Sequence, residues 1–135
     1  MTKKTASEIG RMSKRKGKVA EREVANLFTI RKFPARRGKQ YSGNEDAPDI
    51  VVDAIKEWCQ PEVKRVEQLN LLKAWRQAKA DAPKKAPLVI HKKNHGMWLA
   101  TMELNDFISI LQIIYDRVDW VNELAEHIND GAALL

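Results

Sequence analysis

Two residues apart in an extended, apolar stretch stand a carboxylate and an ammonium, Glu62 and Lys64, and this spacing restricts what the chain can fold into. Successive side chains on a strand point to opposite faces, so Glu62 and Lys64 share one face, about 7 Å apart, while Val63 enters the core. Thirteen residues earlier, Asp49 heads Ile50-Val51-Val52, which reads as a buried neighbouring strand. A hairpin of 49–53 and 58–66, joined by the polar 54–57 segment, brings two carboxylates and one ammonium to a single point at its end. Hard oxygen donors of this kind suit Mg²⁺, with Mn²⁺ as a substitute, rather than zinc. Charged strand residues are common and usually solvated, so the pattern gains its weight from what surrounds it.

A chain of 135 residues fits one compact domain able to bury a real core, and 44% hydrophobic with 31% charged residues describes a soluble globular protein. No apolar run reaches the length of a membrane span, and the basic N-terminus lacks the apolar stretch of a signal peptide. The single cysteine, Cys59, excludes an intramolecular disulfide and sets the expectation of a reducing cytoplasm. Its apolar strand context makes it a small buried hydrophobe rather than a nucleophile. His91, His95 and His127 with one cysteine do not have zinc-site spacing.

Charge is unevenly spread along the chain. Residues 1–40 hold 13 Lys and Arg against 3 acidic residues, a balance of +10; residues 41–102 hold 10 against 8, or +2; residues 103–135 hold 1 against 7, or −6. The basic end has the footprint of a polyanion-binding surface, and it continues past any tail through Arg31, Lys32, Arg36, Arg37 and Lys39. Nucleic acid is the expected partner, and no membrane contact is expected.

Residues 1–15, polar and basic, read as a flexible arm. A helix is expected from about Lys16 to Arg31, with Ala20, Val24, Leu27 and Phe28 as its apolar stripe. Glu21 and Glu23 flank that stripe on opposite sides, and the helical wheel does not choose between them. A short strand near Phe33–Ala35 and a turn-rich loop over 38–48 follow. Pro61 lacks a backbone donor and requires an edge, a strand start or a bulge. Leu69 to Ala82 returns to helix, with Leu71, Leu72, Trp75, Ala78 and Ala82 on its apolar face. Leu88-Val89-Ile90 and Met97-Trp98-Leu99 form a second strand pair around the turn Asn94-His95-Gly96. The helix from Asn105 to Arg117 is apolar on two sides: Leu104, Phe107, Ile108, Leu111, Ile114 and Tyr115 on one, Ile110 and Ile113 on the other. A second subunit, or a final helix over Trp120–Ile128, is needed to cover it. The four tryptophans sit in apolar contexts that favour packing over base stacking.

This order of elements, with Lys16-Gly17, Glu21-Arg22-Glu23 opening a helix that ends in Phe28, Arg37, Ser42-Gly43, Pro48-Asp49-Ile50 and Glu62-Val63-Lys64, resembles the PD-(D/E)xK nuclease superfamily. Within it the likeness is to archaeal-type Holliday junction resolvases and related phage endonucleases, over about residues 16–100. The resemblance implies an α/β (α+β) fold with a restriction-endonuclease-like core, a central mixed sheet flanked by helices. It makes residues 16–130 a single nuclease domain with a helical extension from about residue 104. It further implies a homodimer that cuts branched DNA, a four-way junction above all, with Mg²⁺, in recombination or repair. A bacterial cytoplasm, with phage or prophage origin, is the expected setting. Glu21 becomes the helix-borne carboxylate and a metal ligand, chosen over Glu23 on this ground alone. Asp49, Glu62 and the Val63 carbonyl become metal ligands, and Lys64 the catalytic lysine. Lys16, Lys18, Arg22, Arg36, Arg37, Lys39 and Ser42 become DNA-contacting or supporting positions. Gln77 is similar in place to a glutamine of several branches, although the wheel sets it on the surface. Pro61, directly before Glu62, departs from the family's apolar residue.

Two functions of different class follow: a metal-dependent DNA endonuclease, or a non-catalytic nucleic-acid-binding module of the same fold. Retention of Asp49, Glu62 and Lys64 together favours the enzyme, with a flap, nicking or other recombination-repair endonuclease as the alternative to a junction resolvase. Ser42 is no nucleophile, since no histidine lies near it in sequence to activate it.

Overall fold

The computed structural model describes residues 2–38, 47–115, 117 and 120–133, the side chains of 120–122, 132 and 133 excepted. Among the described residues the fold is α+β, with four helices, a three-stranded mixed sheet and a two-stranded antiparallel sheet.

Helix α1 spans Ala6–Ile30. Thr5 caps it: the Thr5 hydroxyl accepts from the Glu8 amide at 3.2 Å, and the Glu8 carboxylate accepts from the Thr5 amide at 2.7 Å. These bonds from Thr5 hold the Glu8 carboxyl below its ordinary value. The expected arm at 1–15 is therefore helical from Ala6, and Glu21 lies well inside the helix rather than in its first turn. Apolar periodicity misses this start because α1 buries nothing before Ala20; its buried residues are Ala20, Val24 and Ala25. Lys32, at φ 68°, turns the chain out of the helix just before Pro34.

Strands β1 (Ala35–Arg37) and β2 (Ile50–Val52) pair antiparallel, with Arg37 opposite Ile50. Strand β3 (Cys59–Arg65) pairs parallel with β4 (Ala86–Lys92), and β4 antiparallel with β5 (Leu99–Thr101). The expected hairpin between residues 49–53 and 58–66 is thus replaced: β2 and β3 belong to different ladders, and β3 pairs with a strand beyond the next helix. The burial of every residue from Cys59 to Val63 is the mark of a parallel strand covered on both faces. The crossover is α2 (Leu71–Asp81), capped by Asn70, whose side chain accepts from the Lys73 amide at 3.0 Å. Its buried residues are Ala74 and Ala78, whereas Leu72, expected inside, is 64% exposed. Two small side chains let α2 approach β3 and β4 closely. The turn after β4 places His95 at φ 60° and returns the Gly96 amide to the Lys93 carbonyl at 3.0 Å.

One core joins Ala20, Val24 and Ala25 of α1 to Ile50, Val52, Val63 and Ile90, with Phe28, Ala35, Leu88 and Trp98 at its margin. Fully burying a valine or isoleucine contributes roughly 1.5–3 kcal/mol, so this cluster locks α1 across both sheets. By alternation, Asp49, Glu62 and Lys64 point to the other face, together with the fully buried Val89.

Residues 103–135 form a second compact unit. It contains α3 (Leu104–Tyr115) and α4 (Trp120–Ala133). No residue of α3 is buried; the expected main stripe lies largely open, with Leu104 68% and Tyr115 67% exposed, while Ile110 and Leu111 are half-buried. No described helix is long and apolar enough to cross a membrane.

Candidate functional site

The seam between β2 and β3 is closed by a side chain. Oδ2 of Asp49 accepts a hydrogen bond from the Val63 amide at 2.9 Å, linking the head of β2 to the middle of β3. Ala86 N donates to the Trp58 carbonyl and Val66 N to the Lys92 carbonyl, so the even positions around β3 serve the β4 ladder. Val63 faces the other edge, and its carbonyl shares that edge with its amide. Pro61 lies on it too, where a missing N–H interrupts no β3–β4 bond. This accounts for a regular strand running through Pro61 into Glu62.

Asp49 and Glu62 are each 5% exposed. Such burial of two carboxylates is costly without compensating charge or hydrogen bonds. Gly38 fixes the approach to Asp49: its amide donates to the Asp49 carbonyl at 3.0 Å, and a Cβ at this position would run into the Pro48 carbonyl. Lys64 is half-buried on the Glu62 face.

Glu21 stands on the α1 side and meets Arg37, whose Nε donates to Oε2 at 2.7 Å. Both side chains are nearly buried, at 14% and 12% exposure. Arg37 is opposite Ile50 in the β1–β2 register, so this ion pair lies on the face of the strands that α1 covers. Glu23, which the wheel weighed equally, belongs elsewhere: its Oε1 accepts from Trp98 Nε1 at 2.9 Å and from Lys92 Nζ at 3.1 Å. Lys92 also lies 5.0 Å from the centre of the Trp98 ring. The Trp98 bond first, then Lys92 and the charge of Arg65, hold the Glu23 carboxyl below its ordinary value against the opposing effect of burial.

The proposed DNA contacts are scattered. Lys18 and Arg22 are exposed on α1, and Lys16 is half-buried. Arg36 is held by Asp53 at 2.9 Å, a bond that lowers the Asp53 carboxyl from its ordinary value. Lys39 and Ser42 lie outside the described residues. Gln77 is on the surface, donating to Asp81 at 2.9 Å. Trp58 is 41% exposed, less a core residue than its context suggests.

Sequence reasoning passed over His91. It is the register partner of Lys64 on β4, hence on the same face, and its Nε2 lies 2.9 Å from Thr101 Oγ1. The signal was available: an odd position in the 88–90 strand, extended by one residue. Among the described residues no three His, Cys, Asp or Glu side chains gather as a metal-holding group. The oxygen set at the seam is two buried carboxylates and a strand-edge carbonyl. No family model, curated protein or solved structure matches the chain.

Proposed function

We propose that the chain is a divalent-metal-dependent, structure-specific DNA endonuclease with a restriction-endonuclease-like core, acting as a Holliday junction resolvase. The observation that carries this reading is the Asp49–Val63 bond, which sets one buried carboxylate against the strand that bears Glu62 and Lys64.

Asp49, Glu62 and the Val63 carbonyl would hold Mg²⁺. This donor set fits the ion, which keeps several waters and takes only one or two carboxylates beside substrate phosphates. Bound there, Mg²⁺ supplies Lewis acidity that neutralises phosphoryl oxygens and acidifies a water. Lys64, on the same face as Glu62, orients the attacking water or contacts the scissile phosphate. Asp49 braces the strand so that Glu62 and Lys64 keep their geometry. Glu21 joins as the helix-borne carboxylate when a substrate phosphate draws Arg37 away from it. Two copies, associating through the exposed apolar side chains of α3, would present two such centres to the two symmetry-related strands of a junction.

The test incubates the protein with Mg²⁺ and labelled duplex, flap and four-way junction DNA and maps the cuts. Paired, symmetric incisions near the branch point are expected. Cleavage of the flap alone moves the function to a single-cut endonuclease, and binding without cleavage reduces it to a nucleic-acid-binding module.

A further inference from the structure

The first half of α1 buries nothing, yet it is helical, capped and heavily charged. At 3.6 residues per turn, Arg11, Lys14, Arg15, Lys18 and Arg22 fall within about 100° of the helix circumference. All five are exposed, and together with Val19 they line one shallow groove. Lys16 is on the other side of the helix, half-buried. The carboxylates at the margins are committed. Glu8, at the outer end, caps the helix with Thr5, and Glu21, alongside Lys18, binds Arg37.

Cations three and four residues apart repel one another and weaken an isolated helix. A stripe holding three i,i+4 like-charge pairs (11/15, 14/18 and 18/22) is favoured when a polyanion lies along it. From Arg11 to Arg22 the stripe runs about 16 Å at 1.5 Å per residue, the length of roughly five base pairs at 3.4 Å each. Its inner end adjoins Glu21, which binds Arg37 of β1. Its outer end leads away from the buried part of α1, which begins at Ala20.

We infer that this face of α1 is a rigid rail for the sugar-phosphate backbone of a DNA duplex arm, contacting about five base pairs without reading bases. The choice of duplex DNA rests on the nuclease reading, but the rail is tested by binding alone, in EDTA, where no cleavage intervenes.

The experiment compares the wild type with a triple variant, Arg11→Gln, Lys14→Gln and Arg15→Gln, and with a control, Lys73→Gln and Lys84→Gln, at two exposed lysines away from α1. Glutamine keeps helix propensity and removes repulsion, and circular dichroism checks that helix content is retained. Fluorescence anisotropy with labelled four-way junctions then gives the dependence of log K on log salt. The triple variant should lose about 2.7 from the slope, at about 0.9 per phosphate contact, and bind at least about tenfold more weakly near 0.15 M salt. The control should match the wild type. Lengthening the junction arms from about four to about ten base pairs should strengthen wild-type binding and leave the triple variant nearly indifferent. A slope unchanged in the triple variant, or lowered equally in the control, overturns the rail. So does tight binding of phosphatidylserine vesicles without binding of DNA. Loss of arm-length dependence together with intact metal-dependent cutting supports the rail and the nuclease at once. Arm-length-dependent binding by a protein that never cuts supports the rail and refutes only the nuclease reading.

Discussion

Replacing Asp49 separates two contributions that its carboxylate makes in one place. The 2.9 Å bond from the Val63 amide is buried, with Asp49 5% and Val63 8% exposed. Asp49→Ala leaves that amide buried without this acceptor, which costs about 1–3 kcal/mol, and it opens the β2–β3 seam. Asp49→Asn keeps an acceptor oxygen and loses only the charge assistance, about 1 kcal/mol or less. Metal reverses the comparison. At a Mg²⁺ concentration ten times its dissociation constant the wild type gains about 1.4 kcal/mol from binding, and neither variant should gain it. Urea denaturation in EDTA and in Mg²⁺ measures both effects. In EDTA the order of stability should be wild type close to Asn, with Ala lower by about 2 kcal/mol, roughly 4–8 °C in melting temperature for a domain of about this size. In Mg²⁺ only the wild type should rise. An alanine variant as stable as the wild type in EDTA would refute the bracing role, and an asparagine variant with the full Mg²⁺ gain would refute the ligand role.

Three further outcomes follow from the same geometry. Gly38→Ala drives a methyl into the Pro48 carbonyl, so it should cost about 1–3 kcal/mol by overpacking and depress cleavage by shifting Asp49, as checked by melting and by initial rates. Arg37→Met strands the nearly buried Glu21 carboxylate and should cost about 3 kcal/mol, most of it recovered in the double variant with Glu21→Leu, as a urea-denaturation double-mutant cycle would show. Glu23 has a depressed carboxyl, so its contribution is present above the ordinary value of 4.5 and lost as pH falls below it. Trp98→Phe removes the largest cause and should destabilise by about 1 kcal/mol at pH 7, a figure already reduced because the Glu23 side chain is 40% exposed. That difference should shrink towards pH 3, and a constant difference across the range would assign the loss to packing alone.

The strands, the crossover helix and the turn at Asn94–Gly96 were legible because each has a local cause, an apolar run, a cap or a turn residue, although β1 and β5 each begin two residues later than the runs at Phe33 and Met97 suggest. Pairing was not local. Residues 54–57 suit a hairpin, and only the two-sided burial of β3, invisible before the helices are placed, selects β4 as its parallel partner. The start of α1 had a signal, Thr5-x-x-Glu8, but no apolar stripe stood behind it. On α2 the large side chains read as inward, whereas close packing put Ala74 and Ala78 there. The likeness of Glu21 and Glu23 on the wheel is real, since both are partly buried and paired. Their separation depends on Arg37 and Trp98, which come from segments distant in sequence. The shared face of Glu62 and Lys64 was legible from strand alternation, which is local; the Val63 amide that Asp49 holds was not.

The proposed function requires this seam to hydrolyse DNA with a divalent metal. The most direct measurement is single-turnover cleavage of a four-way junction by wild type, Glu62→Gln and Lys64→Ala, purified side by side, each in Mg²⁺ and in EDTA. Cutting is expected from the wild type in Mg²⁺ only, with both variants binding the junction about as tightly as the wild type while cutting at least about a hundredfold more slowly, the scale of losing one group that acts on the transition state. Equal cutting by either variant, or wild-type cutting undiminished in EDTA, would contradict it.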